Sequence, residues 1–189
     1  MRISTRFGLV GALSAMLVLG ASGVAAAKPK EVSAKKFAKT VCSVYTDIPK
    51  NIDDFTSAYN TAPNTDPAIF QTSVVTITSD LLDNLGQLQA KIKKAYPDVD
   101  SGKKVSKIFV NDVQEYVDKI SGALSKFQAA DPNGTAFVGD QAQFETAINI
   151  LRASTISDPF TKIHDQDLLG AFDDEKSCDK VVEIQRVGG

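Results

Sequence analysis

Residues 67–93 read PAIFQTSVVTITSDLLDNLGQLQAKIK, and the fold class turns on the segment Thr72–Thr78 within them, TSVVTIT. Alone, that run of Thr, Ser, Val and Ile has the β-branched composition of a strand. With its flanks it reads as helix, because Phe70, Val74, Ile77, Leu81, Leu85, Leu88 and Ile92 recur in steps of three and four. Asp66-Pro67 supplies an N-cap followed by proline at the first helical position, and Pro97 bars the helix from continuing.

The same spacing extends in both directions. Upstream, Ser33 is a suitable N-cap for a helix carrying Phe37, Val41, Val44, Ile48, Ile52, Phe55 and Tyr59. Pro49 lacks a backbone donor and its ring meets the preceding turn, so this helix is expected to kink or break between about 48 and 51, giving two pieces. Downstream, a helix opens at Ser101 and places Phe109, Val113, Tyr116, Ile120, Ala123 and Phe127 on a stripe close to the 3.5-residue repeat of packed bundles. Asp131-Pro132-Asn133-Gly134 is a turn, and Asp140 with Gln143 resembles the capping box of a fourth helix bearing Phe144, Ile148 and Leu151. Asp158-Pro159 repeats the cap-and-proline signal, and Phe160, Ile163, Leu168 and Phe172 predict a short fifth helix. The chain contains no Asn-Gly hairpin signal flanked by alternating residues and no internal repeat. The fold class is therefore all-α, a bundle of four to five helices.

Residues 1–27 have the form of a cleaved signal peptide: Arg2 and Arg6, an apolar run from Phe7 to Leu19, and small residues at Ala25–Ala27. The apolar run is shorter than the ~20 residues a bilayer core requires. Cleavage after Ala27 leaves 28–189 as a single helical-bundle domain without a membrane span, and removal of the two arginines takes the net charge from −2 to −4. That mild acidity argues against nucleic acid as a partner. Cys42 and Cys178 are the only cysteines, and in an exported chain such a pair oxidises, so one disulfide is expected to join the first helix to the C-terminal segment. An alanine-rich leader, a mature chain without Met or Trp and a bundle closed by one disulfide together are similar to exported proteins of Gram-positive bacteria. That likeness implies the cell envelope or the medium, and the residues fit a periplasm equally.

The chain has no P-loop, no dinucleotide fingerprint and no G-x-S-x-G, so no catalytic residue, metal or cofactor is assigned. His164 is the single histidine, flanked by Asp165 and Asp167 with Ser154, Thr155 and Ser157 upstream, and it is the one residue on which an enzymatic reading rests. Asp165, Asp167 and Gly170 match the start of a calcium loop, but Leu169 and Lys176 stand where further ligands belong. Lys91, Lys93, Lys94, Lys103, Lys104 and Lys107 form a basic rim interrupted by Asp98 and Asp100. Phe55, Tyr59, Phe70, Phe109, Tyr116, Phe127 and Phe144 fall on the apolar faces, where they build core or line a ligand pocket between helices. The expectation is a non-enzymatic exported bundle that binds a protein partner or a small apolar ligand. An extracellular enzyme using His164 and a structural envelope protein are the alternatives.

Overall fold

The computed structural model describes residues 28–153, 159–179 and 181. The expected leader at 1–27, the serines and threonine at 154–157, the expected cap at Asp158 and the segment 182–189 lie outside them. The order is β1 (Lys30–Val32), α1 (Ala34–Asn60), α2 (Pro67–Lys93), β2 (Ala95–Pro97), α3 (Gly102–Ala129) and α4 (Phe137–Ala153). A 3-10 turn (Pro159–Lys162) and α5 (Gln166–Asp173) follow. Among the described residues the protein is an all-α bundle with five helices of eight residues or more, one small strand pair and a further helical turn at 176–179 that carries Cys178.

In α2 the Thr-rich run is fully helical, and its hydroxyls explain how. Thr72, Ser73, Thr76, Thr78 and Ser79 each donate to the carbonyl four residues earlier, at 2.6 to 3.0 Å, so polar groups that compete with helix elsewhere are satisfied within it. Asp66 caps the start by accepting from the amides of Ala68 and Ile69 at 2.8 and 3.1 Å. The buried stripe is Phe70, Val74, Thr78, Leu81, Leu85, Leu88 and Ile92, with Thr78 rather than the partly buried Ile77 at its centre.

Pro49 does not divide α1. The helix runs unbroken from Ala34 to Asn60, because Val41, Val44, Tyr45 and Ile48 before the proline and Ile52 and Phe55 after it are buried on one continuous face. Burial of those side chains, at roughly 1.5–3 kcal/mol each, outweighs the ~3 kcal/mol that an interior proline costs. The Asn51 side chain adds a donor to the Asp47 carbonyl at 2.7 Å, beside the gap that Pro49 leaves. Helix α4 also departs from expectation, beginning at Phe137 rather than at Asp140. Asp140 sits in its first turn, where a carboxylate faces the positive end of the helix dipole.

The two strands are absent from the sequence-level reading, and their pairing is parallel, with Lys30, Glu31 and Val32 opposite Ala95, Tyr96 and Pro97. Three-residue strands carry no periodicity to read, and this pairing joins the chain before α1 to the α2–α3 connection. β2 is pressed onto α3: Ser106 Oγ donates to the Ala95 carbonyl at 3.0 Å, and a Cβ at Gly102 would collide with the Pro97 carbonyl oxygen, so only glycine fits there. Ser101 holds the N-cap position of α3 but makes no side-chain cap bond.

Helices α1, α2 and α3 run up, down and up, each 27 or 28 residues and about 40 Å long. Two glutamines of α2 bind it to α3. Gln71 Nε2 donates to the Phe127 and Ala130 carbonyls, both at 2.8 Å, at the C-terminal end of α3, where the Phe127 carbonyl also accepts from the Ala130 amide. Gln89 Nε2 donates to the Val110 carbonyl at 3.1 Å and to Gln114 Oε1 at 2.7 Å. The fourth side is shared. α4 covers the C-terminal halves of α1 and α3, while the 3-10 turn and α5 cover their N-terminal halves. Beyond α5 the chain is held by the disulfide between Cys42 of α1 and Cys178, both buried and 136 residues apart. No helix among the described residues is long and apolar enough to cross a membrane.

Two outcomes follow for stability. Pro49→Ala restores a donor within an unbroken helix and is expected to raise stability by about 1–3 kcal/mol in urea titration, whereas no gain would mean that the helix is already interrupted there. Replacing Cys42 and Cys178 together by serine is expected to cost roughly 4–5 kcal/mol, since the lost link closes a very long loop. Equal melting of the two proteins would contradict a structural role for the bond.

Candidate functional site

The aromatic residues divide between the two halves of the bundle. Phe55 and Tyr59, one helical turn apart on α1, have ring centroids 6.0 Å apart, and Phe144 of α4 lies 6.5 and 6.1 Å from them. Phe70 of α2 meets Tyr59 at 5.6 Å and Phe127 of α3 at 6.3 Å, and Phe127 meets Phe137 and Phe144 at 5.5 and 5.1 Å. Five of the seven residues singled out as a pocket, Phe55, Tyr59, Phe70, Phe127 and Phe144, are thus brought together, with Phe137 joining them. Phe109 belongs to the other half, in a cluster with Phe37, Tyr45, Phe160 and Phe172. Tyr116 is buried near Tyr45 in that same half.

Phe144 separates two openings on either flank of α4. On the α3 side lies a groove of about 400 Å³ whose floor is made of Gly122, Ala123 and Ala147, with Phe144 and Ile150 as apolar walls. Asp118, Lys119, Lys126, Asp140 and Gln143 form its polar rim, and Lys119 is paired with Glu115 at 2.7 Å. Small side chains on two facing helices are what open this space, for a Cβ at Gly122 would meet nothing within 4 Å. On the α1 side lies a cleft of about 180 Å³ between Phe55, Tyr59, Phe144 and Ile148, with Thr56, Asn60, Glu145 and Asn149 among its lining. There Tyr59 donates to Glu145 Oε1 at 2.6 Å, and Gln141 Nε2 donates to the same oxygen at 2.9 Å. Burial, then the carboxylate it is bonded to, hold the Tyr59 phenol well above its ordinary value.

A third depression, of about 600 Å³, is larger but shallower. It lies beside the strand pair and the start of α3, where Glu31 and Asp100 alternate with Lys103 and Lys104. Lys103 is held 5.3 Å above the Tyr96 ring. Elsewhere on the basic rim, Lys91 is 3.7 Å from Asp47 and Lys93 donates to Gln89 at 2.7 Å. Lys91, Lys93 and Lys103 thus make local contacts with α1, α2 and β2 respectively.

His164 is exposed, in the connection between the 3-10 turn and α5, and its ring makes no hydrogen bond to any described residue. Asp165 beside it caps α5, accepting from the Leu168 amide at 3.0 Å, and Asp167 is exposed in the first turn of that helix. The calcium-loop likeness of this stretch is therefore explained by helix capping. No group of three His, Cys, Asp or Glu suited to a metal ion occurs among the described residues.

One pair went unnoticed in the sequence. Tyr45 of α1 donates to Asp112 Oδ2 of α3 at 2.7 Å, in the middle of the core, with the Tyr45 ring packed edge-on against Phe109 and Phe160. Asp112 stands between Phe109 and Val113 on the apolar stripe of α3, and an acid at a stripe position is the signal that could have found it. Burial, and secondarily the Asp112 charge, hold the Tyr45 phenol far above its usual range.

No protein-family model, curated protein or solved structure matches the chain.

The Tyr45–Asp112 bond makes a testable link to pH. The native Tyr45 stays protonated where an unfolded tyrosine ionises, so above pH ~10 the unfolded state binds fewer protons and stability falls as pH rises. Tyr45→Phe is expected to cost about 1–3 kcal/mol at neutral pH by leaving Asp112 with one donor fewer, and to make the alkaline fall shallower. Denaturant titrations at pH 7 and across pH 10–12 check both; an unchanged alkaline slope would show that Tyr45 does not carry the effect.

Proposed function

We propose that this protein is exported and acts, without catalysis, as a helical bundle that binds a small apolar ligand in the groove between α3 and α4. The groove itself carries the reading. Its ~400 Å³ falls within the range of small-molecule sites, about 300–1,000 Å³, and its apolar floor with a rim of both charges has their usual make-up. The buried disulfide fits an oxidising compartment, in keeping with the leader pattern of residues 1–27.

A protein partner is the second reading, and Ile150 favours it: this groove wall is 60% exposed, open to an inserted side chain. A catalytic role for His164 has less support, since its exposed ring has no hydrogen-bonded partner among the described residues to orient it.

The full chain, recovered from the secreted fraction of its own host, is expected to show in native mass spectrometry an excess mass that denaturation removes. Gly122→Leu fills the groove from a helix interior where glycine costs about 1 kcal/mol, so the variant should fold at least as stably and lose that excess. Bare chain mass in both proteins would overturn the small-ligand reading and leave the partner or structural envelope role.

A further inference from the structure

The cleft on the opposite flank of α4 differs from the groove in size and chemistry. At about 180 Å³ it is too small for a drug-sized or long-chain ligand, and three aromatic rings line it together with one carboxylate. Glu145 is partly buried, yet no lysine, arginine or histidine lies within 4 Å of it among the described residues. Tyr59 and Gln141 both bond to its Oε1, which sets the orientation of the carboxylate and leaves Oε2 accepting no hydrogen bond from a described residue. The Tyr59 phenol stays neutral, so it adds no second negative charge. A carboxylate without a counter-charge beside apolar aromatic surface attracts a cation, and a weakly hydrated organic one most, because it loses little on leaving water.

We propose that this cleft binds a small organic cation, an ammonium or quaternary ammonium group no larger than choline, against the aromatic surface that Tyr59, Phe55 and Phe144 leave at the cleft and beside the carboxylate of Glu145. A quaternary nitrogen has no N–H to place, so it leaves the Tyr59 and Gln141 bonds to Oε1 intact. Thr56, Asn60 and Asn149 provide hydroxyl and amide groups for the polar end of such a molecule. The site is separate from the α3/α4 groove and does not depend on what the groove holds.

Choline chloride and its uncharged carbon analogue, 3,3-dimethylbutan-1-ol, distinguish charge from shape. Titrated into the full chain by calorimetry and by NMR of the aromatic ring protons, choline is expected to bind saturably with a millimolar Kd, and the neutral analogue at least about tenfold more weakly. Glu145→Gln should weaken choline about tenfold and leave the analogue unchanged, while Gly122→Leu, in the other opening, should change neither. Asn149→Arg, at an exposed position, places a cation at the mouth and should abolish choline binding even if Glu145→Gln folds poorly. No saturation up to about 50 mM choline, equal binding of the neutral analogue, or undiminished choline binding in Asn149→Arg would each overturn the proposal.

Discussion

Three helices of nearly equal length, α1, α2 and α3, pack into a sheaf about 40 Å long, and the fourth side of that sheaf must be covered along its whole length. α4 has 17 residues and spans about 25 Å, so it cannot cover that side alone. The remaining half is closed by the 3-10 turn and α5, whose Phe160 and Phe172 pack against Phe109. An eight-residue helix has little stability of its own. The Cys42–Cys178 bond fixes the chain just beyond it to the N-terminal half of α1, and that half of the core depends on the attachment.

Dividing the fourth side between two elements also divides the core. Each half has its own aromatic cluster, and each has one tyrosine bonded to a carboxylate on another helix, Tyr45 to Asp112 in the closed half and Tyr59 to Glu145 in the half under α4. The two pairs differ in surroundings. Tyr45 and Asp112 are almost fully buried among packed rings, where a specific hydrogen bond fixes how α1 sits against α3. Tyr59 and Glu145 border a cleft, where the same pairing presents a carboxylate towards solvent-accessible space. Core residues and candidate site residues are thus built from the same chemistry, and their depth in the bundle separates them.

The openings lie where packing around α4 is loosest. Gly122, Ala123 and Ala147 are too short to close the space between α3 and α4, whereas the α2–α3 contact is tightened by the Gln71 and Gln89 bonds. A bundle otherwise dense with Phe, Leu and Ile thereby keeps a groove along one flank of a short helix, at positions where small side chains leave both facing helices regular.

Helix type, approximate extent and buried stripe were legible in the sequence because they follow from interactions within about four residues, and Phe70 to Ile92 and Phe109 to Phe127 can be read without knowing what they pack against. The cysteine pairing was legible for a different reason, since two cysteines admit one bond. Continuity through Pro49 was not, because a local penalty is offset by burial against α2 and α3 that only the assembled bundle provides. The β1–β2 pairing, the Tyr45–Asp112 bond across 67 residues and the meeting of Phe55, Tyr59 and Glu145 at one cleft depend on how whole helices are placed beside one another. The periodicity of each helix determines which face it buries. Which face it meets, and where the fit leaves space, is decided by the packing of all five.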